Sequence, residues 1–514
     1  MKYHRFILVA GLTLCLNACD DEDKKTEESP ITTDANGLNP AEKDASEQNS
    51  VTPDARAMDA MRLDGGTTEP EEAGRRFDDA DFKPLADIGT LDNDEQCDDP
   101  VNEEDCDKTK VPFVFVHGTV GSGDNLAAPF QLFASNGYCS SYLKAVDYNS
   151  LGEDPNAELD AIIAQLQSET GFDEVDLSGH SQGSGHAARY AAANPDKIRR
   201  YVHLAGGCPG VARGTAASDE TPGADPGDVP TLTLSSIGDM PVERCGTTAN
   251  FCHQNAYIDH FAVASSVESF VEMYQFLNDG EKPETTTVKC EDNIIIEGRA
   301  ITFGDSLFVA GGKIEVYELG NDPWKRDAPV YSFEVGEDGN VGPFEGKRGV
   351  YYEFKMIPPA DKAESMGTRY TYMPPFTRSD RWIRFLYRSE NPTATATNAL
   401  VNFSEAHSVM VVRMKRGGFH YPIHGFTVDG FDALNEINAP TPGTNVGYYL
   451  FDASGEGEGE SNGGNIVTGL FVNSCDIFMP AAAPRFIEVK MGRQTVKVPN
   501  WPSAEGTLSL ILFD

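Results

Sequence analysis

The spacing of hydrophobic residues changes twice along the chain and divides it into three parts. Residues 19–108 carry few large apolar side chains and show no regular period, which predicts a disordered spacer. From Val111 to Leu277, short apolar runs alternate with amphipathic stretches, a pattern typical of a parallel sheet covered by helices. Beyond Pro283, apolar and polar residues alternate in short runs between turn residues, which predicts β structure.

The middle part, residues 109–280, predicts a compact α/β sheet of about six mostly parallel strands. The clearest apolar runs are Val111–Val116, Tyr142–Tyr148, Glu174–Leu177, Arg200–Leu204 and Thr231–Ile237. Helical spacing predicts helices over Leu126–Asn136, from a capping Asn156 to a stop at Gly171, and over Val263–Leu277. The insertion Gly206–Pro230, rich in Gly, Pro and Asp, is either a mobile flap or a long loop.

The last part predicts an all-β sandwich or barrel region in two units, residues 290–368 and 369–514. The runs Lys313–Tyr317 and Val330–Val335 belong to the first unit, and Ser408–Arg413 and Gly506–Phe513 to the second. The second unit is either separate from the first or continuous with it.

The first 18 residues predict an export signal. Lys2 and Arg5 precede the apolar run Phe6–Leu16, which is too short to span a bilayer as a helix. The run ends in Leu-Asn-Ala-Cys19, which resembles the lipobox of bacterial lipoproteins. That resemblance implies cleavage before Cys19 and acylation of Cys19, with the rest of the protein exported and lipid-anchored to a cell-envelope membrane or the cell surface. An ordinary signal peptide is the alternative.

Charge excludes one class of partner. The chain has 41 basic and 81 acidic residues and a formal net charge of −40, so a broad nucleic-acid interface is not expected. The predicted spacer holds about half of this charge, with 29 acidic and 9 basic residues between Asp20 and Lys108. Calcium binding by the carboxylates from Asp92 to Asp107 is an alternative for its end, but the spacing lacks the glycine of an EF-hand loop, and we expect no metal.

Once the signal is removed and Cys19 acylated, eight cysteines remain. An even number in an exported chain favours disulfides. The pairs closest in sequence, Cys97 with Cys106 and Cys245 with Cys252, are the first expectation.

The sequence Gly179-His-Ser181-Gln-Gly183 lies directly between a predicted strand and a predicted helix. The glycines permit a sharp turn that exposes Ser181 at the carboxyl edge of the sheet. A serine hydroxyl needs an imidazole to remove its proton and a carboxylate to orient that imidazole. In the order typical of such a turn, Asp239 follows the predicted strand Thr231–Ile237 and His260 precedes the closing helix.

Other residues compete for these roles. His253 is the rival base and Glu243 the rival acid, whereas Asp259 is adjacent to His260 and is expected to be solvated or to cap a helix. His180 and His186 are expected to pack or cap, and His203 to be a core histidine.

The loop that begins at His117 predicts the remaining part of the site. The backbone N–H groups of Thr119 and Gln182 are expected to meet as an oxyanion hole. A flexible connection and a phosphate-binding loop are the alternatives for residues 118–125, but the Lys-Ser/Thr ending of the phosphate-binding motif is missing.

Together these motifs resemble the α/β-hydrolase lipases and esterases, especially small, nearly lidless bacterial lipases. The likeness covers about Val111–Leu277 and rests on Phe115–Thr119, Gly179–Gly183, Ser235–Met240 and Asp259–His260. It implies a minimal α/β-hydrolase fold and hydrolysis of carboxylic esters, with triacylglycerol as one candidate substrate, through an acyl-enzyme on Ser181, without metal or cofactor. Gly183-Ser184-Gly185 departs from the Gly-Gly that such lipases often have.

The β-rich part resembles transthyretin-type, carboxypeptidase-regulatory-like modules in its first unit and the lipid-contacting tails of some microbial lipases as a whole. A structural cap or spacer is an equal expectation for this part of the chain. Polyester depolymerases and thioesterases share the motifs, and a surface lipid-binding or adhesion protein with a vestigial hydrolase domain is the alternative from another class.

Overall fold

The computed structural model describes residues 100–210, 222–242, 250–443, 445–461 and 472–514. They belong to one compact unit. The predicted signal peptide, Cys19 and residues 19–99 of the predicted spacer lie outside the described residues.

A six-stranded parallel sheet forms the middle of the chain, as predicted. Its order is β2-β1-β3-β4-β7-β8, with every neighbouring pair parallel. The strands are β1 Phe113–Val116, β2 Leu143–Val146, β3 Val175–His180, β4 Ile198–Leu204, β7 Thr231–Ser236 and β8 Phe251–His253. The two-residue strands β5 Cys208–Pro209 and β6 Pro222–Gly223 pair separately within the predicted insertion. All four residues of β1 are inaccessible to solvent, because helices cover both faces of a parallel sheet and select a continuous apolar run.

In the described part of the chain, five α-helices accompany this sheet: α1 Ala127–Ser135, α2 Asn156–Thr170, α3 Gln182–Ala193, α4 Ala262–Ser265 and α5 Val267–Leu277. In α2 the buried residues are Leu159, Ile162, Ile163 and Leu166, and the helix ends at Gly171 with φ 78°. Asn156 is its first residue and Pro155 the capping position, so the predicted Asn156 cap is wrong by one residue.

The single closing helix predicted over Val263–Leu277 is wrong in one respect. Ser266 is extended, and its side chain accepts a hydrogen bond from the Ser269 amide. This cap ends α4 and starts α5.

Beyond α5, the described residues form a β-rich half with two short α-helices, α6 Ala363–Met366 and α7 Pro392–Asn398. Nine strands form one mixed sheet in the order β11-β10-β13-β14-β24-β16-β19-β21-β20, and two smaller sheets have the orders β12-β9-β15 and β18-β17-β22-β23. The strands are β9 Ile294–Thr302, β10 Lys313–Glu318, β11 Tyr331–Glu334, β12 Asn340–Gly346, β13 Tyr352–Ile357, β14 Arg369–Tyr372, β15 Asp380–Tyr387, β16 Met410–Met414, β17 Phe426–Val428, β18 Phe431–Asp432, β19 Gly447–Phe451, β20 Glu460–Ser461, β21 Val472–Ile477, β22 Phe486–Met491, β23 Gln494–Pro499 and β24 Leu508–Phe513.

The nine-stranded sheet contributes to two cores, one on each face. In β24, Leu508, Leu510 and Leu512 pack in the core that includes strands β9 and β15. Ile511 and Phe513 pack in the core that includes β17, β22 and β23. The sheet is therefore continuous through the predicted boundary at residue 368, since β14 pairs with β13 on one side and with β24 on the other.

Residues 100–108 do not continue the predicted disordered spacer. Val101 forms a bridge with Glu291, Glu103 accepts hydrogen bonds from the Ser140 amide and hydroxyl, each at 2.7 Å, and Cys106 forms a disulfide with Cys139. The prediction is wrong here because the covalent link and these contacts offset the entropy of ordering a polar segment.

Both predicted disulfides are wrong. Cys106 pairs with Cys139, 33 residues away, rather than with Cys97. Cys252 is a free thiol, and Cys245 lies outside the described residues. The prediction pairs the cysteines that are nearest in sequence, whereas the fold brings the distant Cys139 next to Cys106.

Within the described ranges, no helix is both long and apolar enough to cross a membrane.

Candidate active site

Ser181 occupies a strained turn at the carboxyl edge of the parallel sheet. It follows β3 directly and precedes α3, with φ 54° and ψ −124°. This backbone conformation is rare for a residue with a side chain and costs about 1–3 kcal/mol, so the surrounding structure must impose it. A hydrogen bond of 2.9 Å from the Ser181 amide to the Leu204 carbonyl, at the end of β4, contributes to that restraint.

The two glycines of the motif are explained by close backbone contacts. A Cβ atom at Gly179 would lie 2.5 Å from the Gly183 carbonyl oxygen, and a Cβ atom at Gly183 would lie 2.2 Å from the His117 carbonyl oxygen. Real Cβ contacts are not this short, so no larger residue fits. The glycines therefore let α3 and the loop after β1 approach the serine turn.

Asp239 and His260 form a buried pair. Asp239 lies just beyond β7, His260 lies just before α4, and His260 Nδ1 is 2.9 Å from Asp239 Oδ1. The side chains are 2% and 3% exposed, respectively. A carboxylate in this position orients the imidazole with a proton on Nδ1 and leaves Nε2 to accept another. Among the described residues, no hydrogen-bond partner contacts Nε2 of His260.

His180 links the serine turn to His260. Its Nε2 lies 2.8 Å from the His260 carbonyl oxygen, and the two ring centroids are 4.7 Å apart. Burial lowers the pKa of His180 to about 3, so the ring is neutral at ordinary pH and can donate one hydrogen bond to that carbonyl. The expectation that His180 packs is met by this contact, which the sequence pattern did not specify.

The alternative base, His253, lies away from the serine turn, and the alternative acid, Glu243, lies outside the described residues. His253 is in β8, and its Nε2 is 2.9 Å from the hydroxyl of Ser269 in α5. Burial lowers the pKa of His253 to about 4.

Asp259 is fully buried, so the expectation that it could be solvated is wrong. One carboxylate oxygen accepts hydrogen bonds from the Phe261 and Ala262 amides, each at 2.8 Å, which caps α4 as the alternative expectation had it. The other oxygen faces the β-rich half and is 2.8 Å from His420 Nε2. Burial raises the pKa of Asp259, but the His420 contact and the amide donors together lower it by more than burial raises it. The pKa therefore lies below its usual value.

The loop after β1, residues 117–125, lies against Ser181. A Cβ atom at Gly118 would be 2.7 Å from the Ser181 Cβ, and the Thr119 hydroxyl donates to Gln182 Oε1 at 2.8 Å. In the described part of the chain, neither the Thr119 amide nor the Gln182 amide has a protein acceptor. Backbone N–H groups of this kind, close to a nucleophilic serine, can stabilise a negatively charged oxygen.

Several supports of this loop had no signal in the sequence. The Ser150 hydroxyl accepts a hydrogen bond from the Val120 amide at 2.8 Å, and the Ser306 hydroxyl, from the β-rich half, donates to the Gly121 carbonyl at 3.0 Å. The buried Asp147 carboxylate accepts from the Gly123 amide and from Arg384 Nε, both at 2.8 Å. Ser306 and Arg384 are more than 180 positions away from the loop, which local pattern cannot reveal.

Three other histidines of the α/β domain have structural partners among the described residues. His117 is stacked on Tyr148, with ring centroids 4.5 Å apart. His203 is buried and contacts the Tyr201 hydroxyl and the Gly207 carbonyl, and His186 lies near Arg189 on α3. No three His, Cys, Asp or Glu side chains within the described ranges are arranged to hold a metal ion.

Comparison with known families gives two matches. Residues 111–232 match a model described as the alpha/beta hydrolase fold. Residues 292–390 match a model described as the lipase C-terminal domain. The first match covers β1 through the start of β7 and includes Ser181, and the second covers β9 through β15. The expected order of an α/β-hydrolase domain followed by a β-rich domain is confirmed.

Solved structures similar to this chain are distant. A metagenome-derived lipolytic enzyme is 14% identical, with a TM-score of 0.25, over 33% of this chain and 94% of that chain. A Listeria innocua gene product is 14% identical, with a TM-score of 0.26, over 35% and 98% of the two chains. An Arabidopsis methylesterase is 15% identical, with a TM-score of 0.23, over 33% and 99%. At these scores, the fold assignment rests on the family models and the sheet order. The search of curated proteins finds no match.

Proposed function

We propose that this chain, an α/β-hydrolase followed by a lipase-type C-terminal domain, is a carboxylic ester hydrolase with Ser181 as its nucleophile. The observation that carries the proposal is the buried contact of 2.9 Å between Asp239 and His260, which His180 links to the strained strand-to-helix turn at Ser181. A vestigial domain has no reason to retain an acid, a base and a nucleophile in this order.

In the proposed reaction, His260 Nε2 removes the Ser181 proton as Oγ attacks the ester carbonyl. Asp239 stabilises the imidazolium that forms. The carbonyl oxygen becomes negatively charged and accepts hydrogen bonds from the Thr119 and Gln182 amides, each of which contributes about 2.7–4 kcal/mol in comparable enzymes.

The intermediate then collapses, the alcohol leaves with the proton from His260, and the acyl group remains on Ser181. Water deprotonated by His260 releases the carboxylic acid and restores the serine. No step requires a metal or a cofactor.

The proposed substrates are carboxylic esters with short to medium acyl chains, with triacylglycerol as a candidate. The match of residues 292–390 to a lipase C-terminal domain supports this. Exposed apolar side chains that adjoin residues of the site in sequence also fit an apolar substrate: Leu151 follows Ser150 and is 52% exposed, Met240 follows Asp239 and is 63% exposed, and Leu307 follows Ser306 and is 44% exposed.

The test is a comparison of initial rates for the wild type and Ser181→Ala. The substrates are p-nitrophenyl acetate, butyrate, octanoate and palmitate, an emulsified triglyceride, an acyl thioester and an aliphatic polyester film. We expect wild-type turnover of the oxyesters and a loss of about 10⁶-fold in kcat for Ser181→Ala. Equal rates for the two proteins would overturn Ser181 as the nucleophile. A clear preference for the thioester or the polyester would overturn the proposed substrate class.

We also propose that the protein is exported and anchored through an acylated Cys19. The Leu-Asn-Ala-Cys19 sequence after a short apolar run supports this. The test is mass spectrometry of the amino-terminal peptide and membrane fractionation of the wild type and Cys19→Ser. A soluble wild type with an unmodified Cys19 would contradict the proposal.

A further inference from the structure

One short segment of the β-rich half contacts both loops of the candidate active site. This bridge segment, residues 413–420, begins near the end of β16 and continues beyond it. The loops are the oxyanion loop, residues 117–125, and the histidine loop, residues 254–261, which carries His260.

The contact with the histidine loop is made at Asp259. Its Oδ2 atom accepts hydrogen bonds from the Gly418 amide at 2.5 Å and from His420 Nε2 at 2.8 Å, while Oδ1 accepts from the Phe261 and Ala262 amides. The carboxylate therefore restrains the backbone on both sides of His260. Asp259 and His420 are 0% and 1% exposed, so water does not compete for these bonds.

The bridge segment must approach the carboxylate closely. A Cβ atom at Gly418 would lie 2.7 Å from Asp259 Oδ2, and one at Gly417, which has φ 144°, would lie 3.2 Å from the Ala262 Cβ. Glycine is required at both positions for the segment to pack against the start of α4.

The contact with the oxyanion loop is made at Asp124. Arg413 Nη1 and Nη2 lie 2.9 Å and 3.2 Å from its two carboxylate oxygens, and the Ser122 hydroxyl donates to the same carboxylate at 2.5 Å. Asp124 is fully buried and Arg413 is 6% exposed. A bidentate ion pair of this kind restrains both the position and the orientation of the two side chains.

We propose that the bridge segment is a positioning element for the active site, and that His420 is a positioning residue for His260. The backbone that holds the oxyanion loop at Asp124 also holds the histidine loop at Asp259. The β-rich half thereby fixes the separation between the oxyanion hole and the general base. The proposal rests on the proposed function, because it assigns this separation a catalytic meaning.

The test compares two matched pairs of variants. His420→Phe removes the donor to Asp259, and His407→Phe is its control, since His407 is also buried in the β-rich half but contacts the Asn402 carbonyl and the Ser404 hydroxyl. Gly418→Ala places a Cβ atom against Asp259 Oδ2. Gly425→Ala is its control, because no atom lies within 4 Å of a Cβ atom at position 425. His420→Gln retains an N–H donor.

We expect His420→Phe and Gly418→Ala to lower kcat for p-nitrophenyl butyrate by about 10- to 100-fold, with little change in KM, because misplacing the base impairs the reaction rather than binding. The two control variants should keep the wild-type kcat, and His420→Gln should recover most of it. A wild-type kcat for His420→Phe, or equal losses for His420→Phe and His407→Phe, would overturn the proposal.

A second readout separates this proposal from the proposed function. Hydrogen exchange of peptides covering residues 254–266 should be faster in His420→Phe than in the wild type and in His407→Phe, whether or not any ester is hydrolysed. If the wild type neither turns over esters nor is labelled at Ser181 by a fluorophosphonate, the proposed function fails. If exchange is the same in all three proteins, the positioning proposal fails.

Discussion

The two buried Asp–His pairs near the active site differ in what the second imidazole nitrogen contacts. His420 is engaged at both nitrogens, with Asp259 at Nε2 and the Thr441 hydroxyl 3.3 Å from Nδ1. Among the described residues, the His260 ring has a hydrogen-bond partner only at Nδ1, which contacts Asp239. This difference fits the roles proposed above, in which His260 transfers a proton and His420 holds a loop.

The Asp239→Asn variant should lower kcat by about 10⁴-fold. The new amide can donate a hydrogen bond to His260 Nδ1, which stabilises the tautomer with its proton on Nε2, so Nε2 cannot accept the serine proton. Rates with p-nitrophenyl butyrate measure this. Asp279→Asn is the control, since Asp279 is an exposed surface residue paired with Arg200. A loss of less than tenfold for Asp239→Asn would mean that another residue orients His260.

Buried neutral histidines predict a loss of stability in acid. Burial lowers the pKa of His253 to about 4, below the value of about 6.5 in the unfolded chain. The unfolded state therefore binds more protons between these values, and stability falls as the pH drops from about 6.5 towards 4. His253 alone should cost about 2 kcal/mol between pH 7 and pH 5.

Urea denaturation of the wild type and His253→Gln at both pH values measures this effect. The variant should lose about 2 kcal/mol less than the wild type over the interval. Parallel losses in the two proteins would show that His253 does not titrate as its burial implies.

At the scale of elements, two glycines near the start of α3 differ in their surroundings, because only Gly183 packs against the oxyanion loop. Gly183 packs against the His117 carbonyl, whereas a Cβ atom at Gly185, on the same helix, would be no closer than 3.5 Å to Arg189. Two residues apart, the glycines have different reasons to be present.

Gly183→Ala should therefore displace Ser181 and lower both the melting temperature and kcat, the latter by about 100-fold. Gly185→Ala should leave kcat unchanged and stabilise the protein by up to about 1 kcal/mol, since alanine is the better helix former. Calorimetry and ester assays on the two variants decide. Equal behaviour would contradict the packing account of the motif.

The elements also show what the sequence could predict. The parallel strands, α2 and the turn at Ser181 were predicted because their signals are local: a continuous apolar run, a period of 3.6 residues and a glycine pattern. The break at Ser266 was missed because the apolar period continues across it. The Cys106–Cys139 disulfide and the Asp259–His420 contact join residues that are distant in sequence, and neither composition nor period carries that information.

The whole molecule is held together by a core that the two halves share. Trp382, in β15 of the β-rich half, is 3% exposed within the core of the α/β domain and donates from Nε1 to the Leu143 carbonyl of β2 at 2.9 Å. Arg384, on the same strand, pairs with the buried Asp147 at 2.8 Å. The burial of Asp147 raises its pKa, but Arg384 and Arg299 more than offset this, and the carboxylate stays ionised.

We therefore expect the full chain to unfold in a single transition, and Trp382→Ala to destabilise it by about 3–5 kcal/mol. Calorimetry of the wild type, Trp382→Ala and Trp324→Ala provides the test. Trp324 is partly exposed and donates to the Ala483 carbonyl within the β-rich half, so its removal should cost less. Two separate transitions in the wild type would show that the halves are independent.

The place of β24 has a consequence for how the protein is made. This strand lies in the middle of the nine-stranded sheet, parallel to β14 on one side and to β16 on the other, although it follows β16 by almost a hundred residues. A ribosome delivers β14 and β16 well before the strand that joins them. Until residues 508–513 emerge, both are open edges that invite pairing with other chains. The nascent protein should therefore depend on chaperones, or on a delay in folding, until synthesis has passed β24.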